Sequence, residues 1–184
     1  GKLLDIDLST ERVKELSFSE DVLKSYIGGR GLAVKILWDR LGRKWQKVDP
    51  LGPENLFMAM LGPMTAIYPG ARVCITGKSP QSNGIIGSTC SGEFPSELKC
   101  AGYDGVIVSG KAEKPVYVWI DDGNVEIEDA RWLWGKDTFE TEEKIRGKHE
   151  DRTIRVACIG QAGEKLVRYA SVNVDLYRQA ARGG

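Results

Sequence analysis

Arginine and glycine lie together at three places in this chain, and those places carry its clearest chemistry. Gly28-Gly29-Arg30-Gly31 is the first. Pro69-Gly70-Ala71-Arg72 is the second, followed by Ser88-Thr89-Cys90-Ser91-Gly92. Arg178-Gln179-Ala180-Ala181-Arg182-Gly183-Gly184 is the third. Small residues let backbone N–H groups come close to an anion. Arginine adds a planar fork that matches phosphate. The hydroxyls of Ser88, Thr89 and Ser91 add neutral donors. The combination suits a phosphorylated, ring-bearing cofactor better than an apolar ligand. Taken singly, each segment also reads as turn glycines beside a solvated arginine. Residue chemistry alone therefore gives an anion-binding hypothesis.

Other chemistries fail on spacing. Gly77-Lys78-Ser79 resembles the end of a nucleotide phosphate loop, but Arg72 stands where that motif needs its first glycine. Pro80 also follows where a helix should begin. Gly29-Arg30-Gly31 resembles the start of a dinucleotide fingerprint, but Val34 replaces the third glycine and a helix precedes it. The single histidine, His149, sits in a charged helix end and completes no Ser/His/Asp set. Asp121-Asp122 lies in a turn, where carboxylates serve solvation. Cys74, Cys90, Cys100 and Cys158 are scattered without a C-x-x-C pair. They are expected as free, mostly buried thiols, not as ligands of zinc or an iron–sulfur cluster.

Composition sets the frame. The 184 residues fit one domain, and 41% are hydrophobic, enough for a core. Twenty-six basic residues balance 26 acidic ones, so no whole-chain field favours nucleic acid or membrane. No apolar run approaches the roughly 20 residues of a bilayer span. The start lacks the apolar stretch of a signal peptide, so a cytoplasmic protein is expected. The missing initiator Met and the glycine-rich end lead us to expect a piece of a longer chain.

The elements that must position the three segments follow from periodicity. Leu3–Leu8 and Val13–Phe18 alternate about a turn and predict a hairpin. Ser19-Glu20-Asp21 caps a helix to Ile27, the glycines at 28–31 break it, and a second helix starts at Leu32. Strands are predicted at Leu56–Leu61, Arg72–Thr76, Ile85-Ile86 and Gly105–Ser109, with a short helix over Glu93–Cys100. Asp121-Asp122-Gly123-Asn124 joins strands Val116–Ile120 and Val125–Ile127. A charged helix covers Thr138–Arg146, and strands cover Thr153–Ile159 and Leu166–Val174. The sum is an α+β, β-rich domain with a mixed sheet.

At these residues the chain resembles the aldehyde:ferredoxin oxidoreductase family, as its amino-terminal domain over residues 1–184. The resemblance is carried by Ile27-Gly28-Gly29-Arg30-Gly31-Leu32-Ala33, Asp49-Pro50-Leu51 with Pro53-Glu54-Asn55, and Gly62-Pro63-Met64-Thr65. Thr76-Gly77-Lys78-Ser79-Pro80, Glu97-Leu98-Lys99, Ala101-Gly102-Tyr103-Asp104 and Gly110-Lys111-Ala112-Glu113-Lys114-Pro115-Val116-Tyr117 add to it. Ile159-Gly160-Gln161-Ala162-Gly163-Glu164 and Arg182-Gly183-Gly184 complete the series.

The resemblance implies a tungsten enzyme, with molybdenum the alternative metal, of the cytoplasm of anaerobes, oxidising aldehydes to carboxylic acids and passing electrons to ferredoxin. It implies a tungsten bis-pterin whose phosphates share a magnesium ion, and a β-rich base cradling the pterins. Later helical domains would supply a 4Fe-4S cluster and the acid/base residues, and the full-length protein would be a homo-oligomer. No catalytic residue falls within this chain. By position, Arg72 and Arg178 match phosphate-binding arginines. Thr89 falls where an Asn carbonyl helps hold magnesium. Ser91 falls on a pterin-contacting Gly, Gln179 on an Ala that lends its backbone, and Ala181 on a Gly. Ser91 and Ala181 add bulk where glycine allows close approach. Two alternatives stay open: another substrate, such as an aromatic acyl-thioester, and a scaffold domain without cofactor.

Overall fold

The computed structural model describes residues 1–180. The alternating amino terminus forms the expected hairpin of β1 (Lys2–Asp7) and β2 (Arg12–Ser17). Ser19 caps α1 (Glu20–Tyr26) by accepting from the Val22 N–H at 3.4 Å. The chain then reverses within Ile27 and Gly28, and α2 (Gly29–Leu41) begins three residues before the expected Leu32. Gly28 has φ +152, a conformation that side chains rarely adopt, so the reversal needs no longer linker. Arg30 thereby becomes a first-turn helix residue.

A 3-10 turn over Gly42–Lys47 leads to β3 (Phe57–Leu61), β4 (Arg72–Lys78) and β5 (Ile85–Ser91). Then come α3 (Phe94–Cys100), β6 (Gly105–Ser109) and the hairpin β7 (Val116–Asp121) and β8 (Asn124–Asp129). α4 (Thr138–Lys148), β9 (Ala157–Cys158), α5 (Gln161–Glu164), β10 (Val172–Val174) and β11 (Arg178–Ala180) complete the described residues.

The fold is α+β around a six-stranded mixed sheet of order β2-β1-β6-β3-β4-β5. β1 and β6 run parallel and the other neighbours antiparallel. Alternate residues of the central strands feed two cores. Leu3, Met58, Met60 and Ile107 pack against Leu32, Ala33, Ile36 and Leu37 of α2. Leu4, Ala59, Leu61, Val73 and Cys90 face the other way, onto Leu98, Tyr103, Val174 and Ala180. Burial on both faces explains why β3 reads as an unbroken apolar run.

The carboxy-terminal half departs from the sequence expectation. Within Thr153–Ile159 only Ala157–Cys158 pairs, and within Leu166–Val174 only Val172–Val174. Residues 160–167 satisfy their backbone groups locally instead, through α5 and bonds such as Val167 N–H to the Ala162 carbonyl at 2.9 Å. β9, β10 and β11 form a small antiparallel sheet. Ser88–Ser91 and Arg178–Ala180, expected as loops, belong to strands. The four cysteines are free, but only Cys74 and Cys90 are fully buried. His149 ends α4 and stacks on Trp119, with ring centres 3.8 Å apart.

Lys78, the lysine of the rejected phosphate loop, has a structural task. It is buried, and its Nζ donates to the carbonyls of Trp45, Gln46 and Val48 at 2.9, 3.0 and 2.7 Å. It thus satisfies the carboxyl end of the 3-10 turn and ties it to β4. Lys78→Met keeps the bulk but strands three carbonyls, at a cost of about 3 kcal/mol. Thermal denaturation should show a midpoint lowered by about 6–12 °C, and an unchanged midpoint would remove this role.

Candidate functional site

The β4–β5 ladder assembles the second segment. Its register sets Arg72 opposite Ser91, Cys74 opposite Thr89 and Thr76 opposite Gly87. These six positions share the sheet face that carries Met58 and Met60, the face covered by α2. A cavity of about 320 Å³ opens there, lined by Gly29, Arg30, Gly62, Arg72, Cys74 and Thr89 among others. The first and second segments therefore share one cavity. A second cavity, of about 340 Å³, lies toward α5 and is lined by apolar groups such as Ile75, Ile86, Leu166 and Val172.

The third segment reaches the far end of the same ladder. Gly92 follows Ser91 with φ +154, and a Cβ there would lie 3.4 Å from Arg178 Cδ and 2.3 Å from Asp175 Oδ2. Only glycine lets the β10–β11 turn come this close. Asp175 Oδ2 accepts from the Glu93 and Phe94 N–H groups at 2.6 and 2.9 Å, which caps α3 and locks the turn in place. Leu176 N–H donates to the buried Glu142 carboxylate at 2.9 Å, fixing the turn from the α4 side.

Arg72 and Ser91 thus face each other across the ladder with Thr89 one step along the same face, and Arg178 comes beside Gly92, the residue after Ser91. Neither Arg72 nor Arg178 forms an ion pair with a carboxylate among the described residues, in contrast to Arg40 with Asp5 and Arg146 with Glu142. Both arginines act electrostatically on the Cys90 thiol, which faces the other side of the sheet. Burial and Asp175 push that thiol up, while Arg178 and Arg72 oppose the shift. Gln179 is the next residue of β11. Its side chain turns onto β10, where its Nε2 donates to Asn173 Oδ1 at 3.1 Å and its Oε1 bonds the Ser171 hydroxyl. Its backbone pairs with Asn173. Ala181 lies outside the described residues. Arg30, present in the first segment but absent from the expected ligand set, lines the cavity; its proximity rests on a contact between α2 and β5 that no spacing reports.

Comparisons with known proteins give the family. Residues 3–184 match the model of the aldehyde ferredoxin oxidoreductase N-terminal domain. The chain belongs to that family. An aliphatic sulfonate oxidoreductase, WOR-like subunit, of Pyrococcus furiosus is 48% identical, covering 100% of this chain and 31% of that protein. A tungsten-containing aldehyde ferredoxin oxidoreductase of the same organism is 41% identical, covering 100% and 30%. Among solved structures, the active-site complex BamBC of benzoyl coenzyme A reductase, in complex with 1,5-dienoyl-CoA, matches with a TM-score of 0.91 and 36% identity. The match covers 100% of this chain and 28% of that one. The chain thus spans about a third of the length of these two Pyrococcus furiosus relatives. Among the described residues, no group of three His, Cys, Asp or Glu side chains is placed to hold a metal, and no helix is long and apolar enough to cross a membrane.

Thiol chemistry tests this local environment. Burial pushes Cys158 up to about 12, and Cys90 is also raised, whereas Cys100 is exposed. Since only the thiolate attacks, a disulfide reagent at pH 8 should modify Cys100 first in the folded chain. Cys90 and Cys158 should react only after denaturant is added. Rapid labelling of Cys90 by peptide mapping would contradict the closed ladder end.

Proposed function

We propose that this domain cradles the pterin part of a tungstopterin in a tungsten-dependent oxidoreductase. The observation that carries the reading is that Arg72, at one end of the β4–β5 ladder, and Arg178, beside Gly92 just past that end, both lack a carboxylate partner among the described residues. Guanidinium groups without carboxylate partners offer a multiply charged phosphate charge-assisted contacts. The residues fit such a group: the arginines are exposed and the adjoining cavity is open. Ser91 projects at the end of its strand and leaves this cavity clear, since it is absent from the lining. That fit favours a cofactor-binding domain over a scaffold that has lost its ligand.

In this reading Arg72 and Arg178 neutralise phosphate. Thr89 and Gln179 would lend backbone atoms to a magnesium ion, and Ser91 and Ala181 would border the pterin. The metal-bound cofactor supplies the two-electron redox chemistry when present. The chain's own residues bind and orient it and hold no proton in the reaction. The remaining parts are proposals for the full-length protein: a 4Fe-4S cluster held outside this domain, ferredoxin as electron acceptor, aldehydes as substrates, a homo-oligomeric state and a cytoplasmic location. A second reading keeps the cofactor and changes the substrate. The relative named for aliphatic sulfonates is more similar, at 48%, than the 41% of the aldehyde-named one. The benzoyl coenzyme A reductase match points to thioesters in the same way.

The test uses the full-length protein, purified without oxygen after growth with tungstate. Arg72→Ala and Arg178→Ala should each lower bound pterin and tungsten, because a charge-assisted contact is worth about 1.5–3 kcal/mol, or about tenfold or more in affinity. Both variants should fold. Wild-type pterin fluorescence and metal content in both would overturn the assignment, and turnover of aldehydes, sulfonates and acyl-thioesters side by side separates the two substrate readings.

A further inference from the structure

Arg30 was part of the first Gly-Arg segment, yet the phosphate-binding roles above leave it unused. It lines the same cavity as Arg72 and Thr89. Its Nη2 donates to the Gly87 carbonyl, and a Cβ at Gly87 would lie only 2.1 Å from Arg30 Nε. The guanidinium therefore lies flat against bare backbone, and any side chain at position 87 would displace it. One carbonyl uses part of a group with five N–H donors. Arg30 has no carboxylate partner among the described residues, and the first turn of α2 contains no acidic residue. The nearby lysine of the same helix, Lys35, is already paired with Asp39. The cavity thus carries two unpaired guanidinium groups, Arg30 on its helix side and Arg72 on its strand side, with the hydroxyl of Thr89 beside them.

We infer that Arg30 is a further ligand-binding arginine of this site, held by the Gly87 carbonyl to meet a second oxyanion of the same ligand across the cavity from Arg72. The inference rests on the cofactor reading above. A bound oxyanion offsets the repulsion between the two cations, and the planar fork, fixed by its contact with Gly87, loses little freedom when it binds. The amide groups at the amino end of α2, which lack a side-chain cap, add to the same positive field. A purely structural clamp between α2 and β5 would also bond Gly87, so the test must separate charge from packing.

The full-length protein and its R30Q and R30K variants are washed at increasing KCl, and retained pterin and tungsten are measured with the thermal midpoint of each. Ion pairing to the ligand predicts an order of salt resistance: wild type, then R30K, then R30Q, with R30Q retaining about tenfold less cofactor at high salt. A clamp alone predicts lowered thermal midpoints with equal retention, and that result overturns the inference. If R30Q fails to fold, R30K decides: release at lower KCl than the wild type supports the role, and release at the same KCl overturns it. Loss of cofactor in Arg72→Ala together with full retention in R30Q rejects Arg30 alone. Full retention in both rejects the cofactor reading itself.

Discussion

The Asp175 carboxylate holds the site together. Its Oδ2 receives both the Glu93 and Phe94 N–H groups. It therefore caps α3 and pins the β10–β11 turn to the end of the large sheet in one contact. Backbone N–H groups at a helix start are otherwise unsatisfied, so the contact is strong in both directions. Glu142 grips the next residue of the turn from α4, and Arg155 pairs with Glu93 beside it. Val174 and Ala180, on either side of the turn, sink into the core formed by Val73 and Cys90. With the turn fixed from three sides, the backbone of Arg178 is set beside the end of the large sheet.

The electrostatics follow from that placement. Ion pairs such as Arg40 with Asp5, Arg146 with Glu142 and Arg155 with Glu93 neutralise part of the chain's charge locally. At the ladder end the local neutralisation stops. Asp175 gives its Oδ2 to backbone N–H groups and forms no ion pair with Arg178. The net charge of the chain gives no sign of such local arrangements.

Where local rules govern, the sequence was legible. The β1–β2 and β7–β8 hairpins, α1 with its Ser19 cap, α3 and α4 all formed close to their expected bounds. Elements made by tertiary pairing were not legible. Gly87-Ser88-Thr89-Cys90-Ser91 has Thr89 alone among the branched and aromatic residues of a typical strand, and becomes one because β4 supplies a complete ladder. Thr153–Ile159 and Leu166–Val174 have the composition of strands but find partners for only two and three residues. The lysine of Gly77-Lys78-Ser79 was rightly denied a nucleotide role, but its three carbonyl partners lie about thirty residues upstream and could not be foreseen.

The sequence by itself determined which chemistry was available: arginines beside small residues in three segments, a neutral surface balance, and a run of short matches that carried the family resemblance. Residue type sets charge, donor geometry and backbone freedom, and these need no fold to be read. Only the tertiary structure decided that Arg72, Thr89 and Ser91 share one sheet face, that Arg30 lies against Gly87 in the same cavity as Arg72, that Arg178 comes beside Gly92, and that the Gln179 side chain turns onto its neighbouring strand. Those outcomes depend on ladder register and on contacts between residues 57 to 86 positions apart. Local periodicity cannot encode such contacts, because each is fixed by how separate elements pack and not by the spacing within any one of them.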